Sequence, residues 1–509
     1  MSPATPPADA GANADGPPRP AWLVTPLDPV SAVLARSLPY PAAPIDLPDE
    51  QPLPGLRVLR DPREDGSTLT LLHHLGEERL ATDRLRLERL PLDPATPPRR
   101  RIRPAWVTVL TVTSDPDAAR GHLEVGEEES GTRVRLAATG PSPADLDRVV
   151  ELAADHRYVH IPAPLAGDLV LAAALVLRLA AASIPVVAPA EVAAAWTLLD
   201  PELRAAVAVT PASLEGDDLA LARAAADQRR AAWRHHHLRL EWAPTPATAP
   251  DGAPTWSPQL RPPRRPSLSV ILATRRPELL PAALAMVAAQ QGVDTEVVVA
   301  LHGAGDPDTA AAELARHGLD GRVLPVPARV PFGAALQAAV QASHGELVTK
   351  WDDDDLYGPD HLADLVIAQH QTGAALTGRA PEFVYLQASG TTVWRTPGRA
   401  EAHSMGIAGG TFLLPRAALE DVGGFPPVAR AVDHHLKVAV KAAGGLVFRT
   451  HGFGFVLRRH AAGHTWESDD ERFLASAVRT FEGIPDVVGL GPAAGFAHLP
   501  ALTGGEVSR

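Results

Sequence analysis

Residues 267–274, SLSVILAT, are a nearly continuous apolar run followed directly by RRPELLPAALAMVAAQQG, and this pair of segments constrains the fold more than any other feature. A strand that is apolar at successive rather than alternate positions has both faces covered, the condition of a parallel strand in an α/β protein. The segment after it opens with Pro277 near a first helical turn, sets Leu279, Ala283, Met286 and Val287 on one face and stops before Gly292. The alternation then repeats. EVVVAL reads as a strand, PDTAAAELARHG as a helix, RVLPV as a strand, FGAALQAAVQASHG as a helix and ELVTKW as a strand. Short connections between such units predict α/β architecture with a Rossmann-like, mostly parallel, doubly wound sheet.

Two proline-rich stretches divide the chain. Residues 1–55 are rich in Pro, Ala and Asp with little periodicity, and are expected to be mostly disordered. Residues 243–266 have the proline density of a semi-rigid linker. Between them, 56–242 reads as a smaller N-terminal α/β domain: strand-rich to about 135, then alternating strand-like and helix-like runs that suggest a small parallel sheet. The C-terminal domain is expected over 267–485, with a tail at 486–509. The sequence leaves the role of the N-terminal domain open, dimerisation included.

Composition narrows the class. A chain of 509 residues has room for two or three domains, and its formal charge of -13 argues against a nucleic-acid partner. Any anionic substrate then needs a local cation. The absence of cysteine excludes disulfides, thiolate metal sites and cysteine nucleophiles. The first twenty residues lack the pattern of a secretory signal, and the longest apolar run, 169–182, is too short to cross a bilayer and contains Arg178. The expectation is a cytoplasmic chain with no transmembrane segment, peripheral membrane contact being left open. The basic stretch PPRRRIRPAW at 97–106 would suit such contact, or a phosphate-bearing acceptor, but reads more simply as a solvated turn. Three adjacent histidines in WRHHHLRLEW point in different directions and share an ion poorly.

The segment KWDDDDLYGPDHL, 350–362, crowds four carboxylates at the carboxyl end of ELVTKW. Like charges on adjacent residues repel, so the plain reading is a solvated acidic loop. Its place in the fold supports a sharper one, because open α/β sheets bind ligands beyond the carboxyl ends of their strands. Pro359 can open the next helix, whose Leu362, Leu365 and Val366 form an apolar face. Asp352 and Asp354, two apart, can reach one hard divalent ion through oxygen ligands, leaving positions for water or phosphate oxygens. An EF-hand would need Gly and Glu where Tyr357 and Ala363 stand.

SVILATRRPELL, the D-x-D run, GGTFLLPRAALEDVGGF and an acidic residue at the head of a later helix, in this order, resemble glycosyltransferase family 2 with its GT-A fold, over about 267–468. The resemblance implies a nucleotide-diphosphate sugar donor, a divalent ion (Mn or Mg) and inversion at the anomeric carbon. The acceptor would be a glycan, a lipid carrier or another hydroxyl, as in cell-wall or polysaccharide biosynthesis. It places Asp352 and Asp354 in the D-x-D motif with Asp353 between them and Asp355 adjacent, so that Asp352 and Asp353 face the donor and Asp352, Asp354 and Asp355 the metal. Thr274 and the stretch from Arg275 to Glu278 fall in the loop near the base and ribose, where Thr274 would serve equally as a helix cap. Gly409 and Gly410 match a turn near the sugar, although glycine serves any tight turn. Asp433 stands where the family carries its catalytic base, with Val432 replacing the first member of the usual acidic pair; an aspartate there also suits a helix N-terminus. Arg458, Arg459 and His460 would bind the diphosphate and His464 would complete the metal shell, against the alternative of histidines without a ligand. LHGAGDPD departs from the family's Asp-Asp-Gly-Ser, which leaves Asp306 as a substitute donor contact.

The resulting expectation is a metal-dependent, inverting, hexosyltransferase-type enzyme. Two rivals remain: a nucleotidyltransferase, whose glycine-rich phosphate loop is missing from ATRRPELL, and an inactive nucleotide-sugar or glycan-binding protein.

Overall fold

The structure, a computed structural model, describes residues 56–62, 68–74, 107–113, 123–128, 131–137, 143–154, 156–163, 169–214, 216–236, 239–248, 254–261, 265–395, 401–459 and 470–491. The segment 1–55, the basic stretch 97–106, His460 and His464 lie outside the described residues.

The C-terminal unit is built on an eight-stranded sheet in the order Gly321–Val326, Asp294–His302, Ser267–Thr274, Leu347–Trp351, Leu413–Pro415, Leu376–Arg379, Val447–Thr450, Ala402–His403. The first four strands are mutually parallel. Leu413–Pro415 runs against both neighbours, Leu376–Arg379 and Val447–Thr450 are parallel, and the edge strand is antiparallel. This is the mostly parallel α/β sheet expected. From the central strand Ser267–Thr274 the chain winds outward to one edge and then returns to place Leu347–Trp351 on the other side. The carboxyl ends of these two strands therefore flank a topological switch point, where such sheets open a crevice.

The continuous apolar run has its cause here. Val270 and Leu272 pack with Leu280, Leu284 and Val287 on one face, and Ile271 and Ala273 pack with Ala335, Leu336 and Val340 on the other. A smaller sheet, in the order Leu356–Tyr357, Phe455–Arg459, Phe383–Leu386, Thr391–Trp394, Arg479–Glu482, stands at the end of the acidic run.

The N-terminal unit carries the small sheet read from the sequence, in the order Leu123–Glu128, Gly131–Ala137, Val107–Thr113, Val159–His160, Val186–Val187, parallel except for its edge hairpin. The helix Asp218–His236 joins the two units. Ala231, Ala232 and Trp233 lie in the N-terminal core, while Leu219 and Ala226 lie in the core of the larger unit. Between them, Arg229 pairs with Glu401 at 2.6 Å, and Arg230 grips both oxygens of Asp364 at 2.8 Å. Asp364 also takes Arg379 at 3.0 Å. Burial alone would raise the Asp364 carboxyl, but Arg230, His451 and Arg379 hold it well below the usual carboxylate range. Buried charges persist when paired in this way.

Two segments differ from expectation. Within the stretch read as a linker, Pro254–Arg261 pairs with Arg239–Thr248 as an antiparallel ribbon. A two-stranded ribbon tolerates proline because each strand has an outer edge that needs no donor. In the stretch read as a tail, Val488 and Leu490 are buried in the larger core, and the Gly454 amide donates to the Val488 carbonyl at 2.6 Å. Among the described residues, no helix is long and apolar enough to cross a membrane.

Candidate active site

The acidic run leaves the sheet at Trp351, beside the end of the central strand at Thr274. Its four carboxylates do not share one environment. Asp353 and Asp355 are buried, at 5% and 4% exposure. The side chains of Asp352 and Asp354 keep 29% and 16% and are the two that remain open to solvent. The run bends between the strands Leu347–Trp351 and Leu356–Tyr357, and the exposed acids are the first and third of the four.

Asp353 serves the loop. It accepts from the Thr274 hydroxyl and from Arg276, whose Nη2 also lies 2.8 Å from Asp354 Oδ2. Burial and the neighbouring Asp354 charge push the Asp353 carboxyl up to about 6, against Arg276 and Thr274. Thr274 Oγ1 also accepts from the Arg276 amide at 2.8 Å, so the turn-capping role and the loop contact coexist. Asp355 does not join the proposed metal set. It accepts from the Arg458 amide at 3.0 Å, and burial with the Asp354 and Asp352 charges raises it well above the ordinary range. The Asp355 carboxyl is thereby tied to the strand Phe455–Arg459 through one of its oxygens.

Asp352 faces a second group of residues. Lys350, 2% exposed, directs its ammonium at Asp352 Oδ1, 2.7 Å away, and at Asp433 Oδ1, 3.3 Å away. Burial would depress this ammonium, but the Asp352 and Asp433 charges outweigh it and hold it above the usual lysine range. Asp433 sits in the first turn of the helix Val432–Ala442, its side chain 37% exposed, behind Ala431 in the left-handed region at φ 56°. The turn Gly409–Thr411 passes between the two carboxylates. A Cβ on Gly409 would overlap the Asp433 carboxylate, and one on Gly410 would lie 2.8 Å from Asp352 Oδ2 and 2.7 Å from the Tyr357 hydroxyl. The glycines are therefore required by the close approach of the acids to the backbone. Tyr357 locks the arrangement: its hydroxyl accepts from the Asp352 amide at 3.1 Å and donates to the Gly410 carbonyl at 3.0 Å.

The other candidates are placed apart. Arg275 is exposed and turns to His302, 3.2 Å from Nδ1. Glu278 is exposed on the turn Pro277–Leu279. Asp306 caps the helix Pro307–Arg316, accepting from the Thr309 amide at 2.9 Å and hydroxyl at 2.6 Å, so its carboxylate is engaged in the cap. Arg458 and Arg459 alternate across their strand: Arg458 bonds Gln387 at 3.0 Å and feels the Asp354 charge, whereas Arg459 lies over the Phe473 ring at 5.8 Å. Neighbouring strand residues point to opposite faces, so the two arginines are not presented on one side of the strand.

Among the described residues, no three His, Cys, Asp or Glu side chains are grouped to hold a metal. The open pair Asp352 and Asp354 nevertheless fits a hard divalent ion that takes one or two carboxylates and completes its shell with phosphate oxygens and water. Lys350 and Tyr357 were not among the candidates read from the sequence, and Arg276 was read only as part of the loop from Arg275 to Glu278. A lysine inside a strand buried at every position was the available signal for the first.

Solved structures similar to the chain include S. aureus TarS in complex with UDP-GlcNAc, at 17% identity over 41% of this chain and 64% of that one, TM-score 0.34. Another is the mannosyltransferase PcManGT from Pyrobaculum calidifontis with GDP-Man and Mn2+, at 19% identity over 45% and 62%, TM-score 0.31. The chain spans less than two thirds of the length of each. No curated protein matches the chain. Residues 269–392, which hold the first four strands of the sheet and the whole acidic run but stop short of Gly409, Gly410 and Asp433, match the family model of glycosyl transferase family 2, the family the sequence motifs resemble.

Proposed function

We propose that the chain is an inverting glycosyltransferase that moves a sugar from a nucleotide-diphosphate donor to an acceptor hydroxyl, with Mn or Mg bound at Asp352 and Asp354. The observation that carries this reading is the convergence of Asp352 and Asp433 on the Gly409–Gly410 turn, at the switch point of the sheet. One carboxylate belongs to the donor loop and the other heads a separate helix, the placement expected of groups that serve two different substrates.

Asp352 and Asp354 would hold the ion against the donor diphosphate. When bound, it supplies Lewis-acid stabilisation of the charge that develops on the leaving diphosphate. Arg276, beside Asp354, would offer a further cation to that side of the crevice. Asp433, the more exposed acid, would take the proton from the acceptor hydroxyl as its oxygen attacks the anomeric carbon. A single displacement of this kind inverts the anomeric centre. Gly409 and Gly410 would let the sugar approach the backbone. The division of labour between a C-terminal catalytic unit and an N-terminal unit that seats the acceptor, and a cytoplasmic location, belong to the same proposal.

The test is nucleotide-diphosphate release from a panel of nucleotide sugars with Mn, with Mg and with chelator, comparing the intact chain with Asp354→Ala. Slow, metal-dependent release from one donor, abolished by the substitution, is the expected result. Absence of metal-supported donor binding by calorimetry would return the four aspartates to a solvated loop.

A further inference from the structure

We propose that Lys350 is a positioning residue: its ammonium ties the donor-side carboxylate Asp352 to the acceptor-side carboxylate Asp433 and so sets the gap in which transfer takes place. This rests on the glycosyltransferase reading above.

An ammonium that is 2% exposed needs full compensation, and Lys350 finds it in two carboxylates from elements far apart in the chain. The turn that approaches both acids, Gly409–Gly410, adds no side chain of its own there. The backbone around Lys350 is tied to the same turn: its amide donates to the Phe412 carbonyl at 3.0 Å, and the neighbouring Thr349 hydroxyl donates to the same oxygen at 2.8 Å. The strand, the turn and both acids thus form one unit around the Lys350 ammonium.

The helix head has a reason to need such a tie. Ala431 holds a left-handed conformation that a residue with a Cβ adopts at a cost, and Asp433 stands two residues later in the first helical turn. Of the two lysines on that helix, Lys437 feels the Asp433 charge but spends its hydrogen bond on the Met405 carbonyl at 3.0 Å. Without Lys350, Asp352 and Asp433 would face each other as uncompensated like charges, and the more exposed Asp433 would swing toward solvent.

Lys350→Met keeps the length of the side chain and removes the charge. In the full chain it should lower kcat at least tenfold while nucleotide-diphosphate binding, read by calorimetry with Mn present, stays within about threefold; Lys350→Arg should recover part of kcat. A wild-type kcat in Lys350→Met, or kcat and diphosphate binding falling together, would overturn the assignment. Should the Met variant fail to fold, Lys350→Arg decides: a kcat below wild type with diphosphate binding within about threefold supports the tie, and a wild-type kcat or a joint fall of both overturns it. Melting curves of Lys350→Met, Asp433→Asn and the double variant give a readout independent of turnover: non-additive melting supports the tie, and additive melting overturns it. An intact chain that turns over no donor while these melts remain non-additive would defeat the transferase reading and leave the pairing of Lys350 with Asp433 standing.

Discussion

Glu382 offers a stability test whose size follows from the structure. It is 7% exposed at the start of the strand Phe383–Leu386, in the sheet that carries Arg458. Burial pushes its carboxyl from the ordinary 4.5 up to about 7, with Arg449 and the Gly452 amide opposing and the Glu401 charge adding. In the window between these values the folded protein keeps a proton that the unfolded chain has released. Stability therefore falls as pH rises from about 4.5 to 7, and above about pH 8 the whole penalty stands. At about 1.4 kcal/mol per pH unit the penalty comes to roughly 3 kcal/mol. Glu382→Gln keeps the shape and removes the ionisation. Urea unfolding should show the variant and wild type nearly equal at pH 5, and the variant more stable at pH 8 by up to about 3 kcal/mol, a midpoint shift of about 1–2 M. An unchanged pH dependence in the variant, or a loss of stability at pH 8, would refute the reasoning.

Asp433→Asn should cut turnover by about 100-fold or more while leaving nucleotide-diphosphate affinity nearly intact, as measured by steady-state kinetics beside calorimetry. Gly410→Ala puts a methyl group 2.8 Å from Asp352 Oδ2 and should destabilise by about 1–3 kcal/mol and lower kcat, checked by melting and turnover on the same preparation. Asp364→Asn strips compensation from Arg230 and Arg379 at once, and a loss of about 3–5 kcal/mol is expected in urea unfolding. A change under 1 kcal/mol would mean that solvent already reaches this cluster.

The eight-stranded sheet was largely legible because its signals are local. Strands buried on both faces must be apolar throughout, and the helices between them must carry one apolar face, so SLSVILAT, EVVVAL and the segments after them announced their state. The ribbon in the proline-rich stretch was hidden because proline density reports on backbone donors, and a two-stranded ribbon needs few of them. The smaller sheet was hidden because its strands come from widely separated segments, each too short to show periodicity.

The candidate site divides along the same line. Asp352 and Asp354 were legible, since a two-residue spacing after a strand end is a local pattern, and Asp353 and Asp355 could not be separated from them by residue type alone. Which acids stay open was decided by Thr274 and Arg276 closing on Asp353 and by the Arg458 amide closing on Asp355. Asp306 and Arg459 matched plausible roles by type, and a helix cap and a phenyl ring claimed them in the folded chain.

The sequence by itself determined the α/β alternation, the strand end that carries the acids and the resemblance to glycosyltransferase family 2, because each is written in contiguous residues whose periodicity and spacing need no partner. Only the tertiary structure decided that Lys350 joins Asp352 to Asp433 across two glycines, and that one helix shares its burial between two cores. Those features are contacts between residues distant along the chain, and the energy of a contact exists only once the fold has closed the distance.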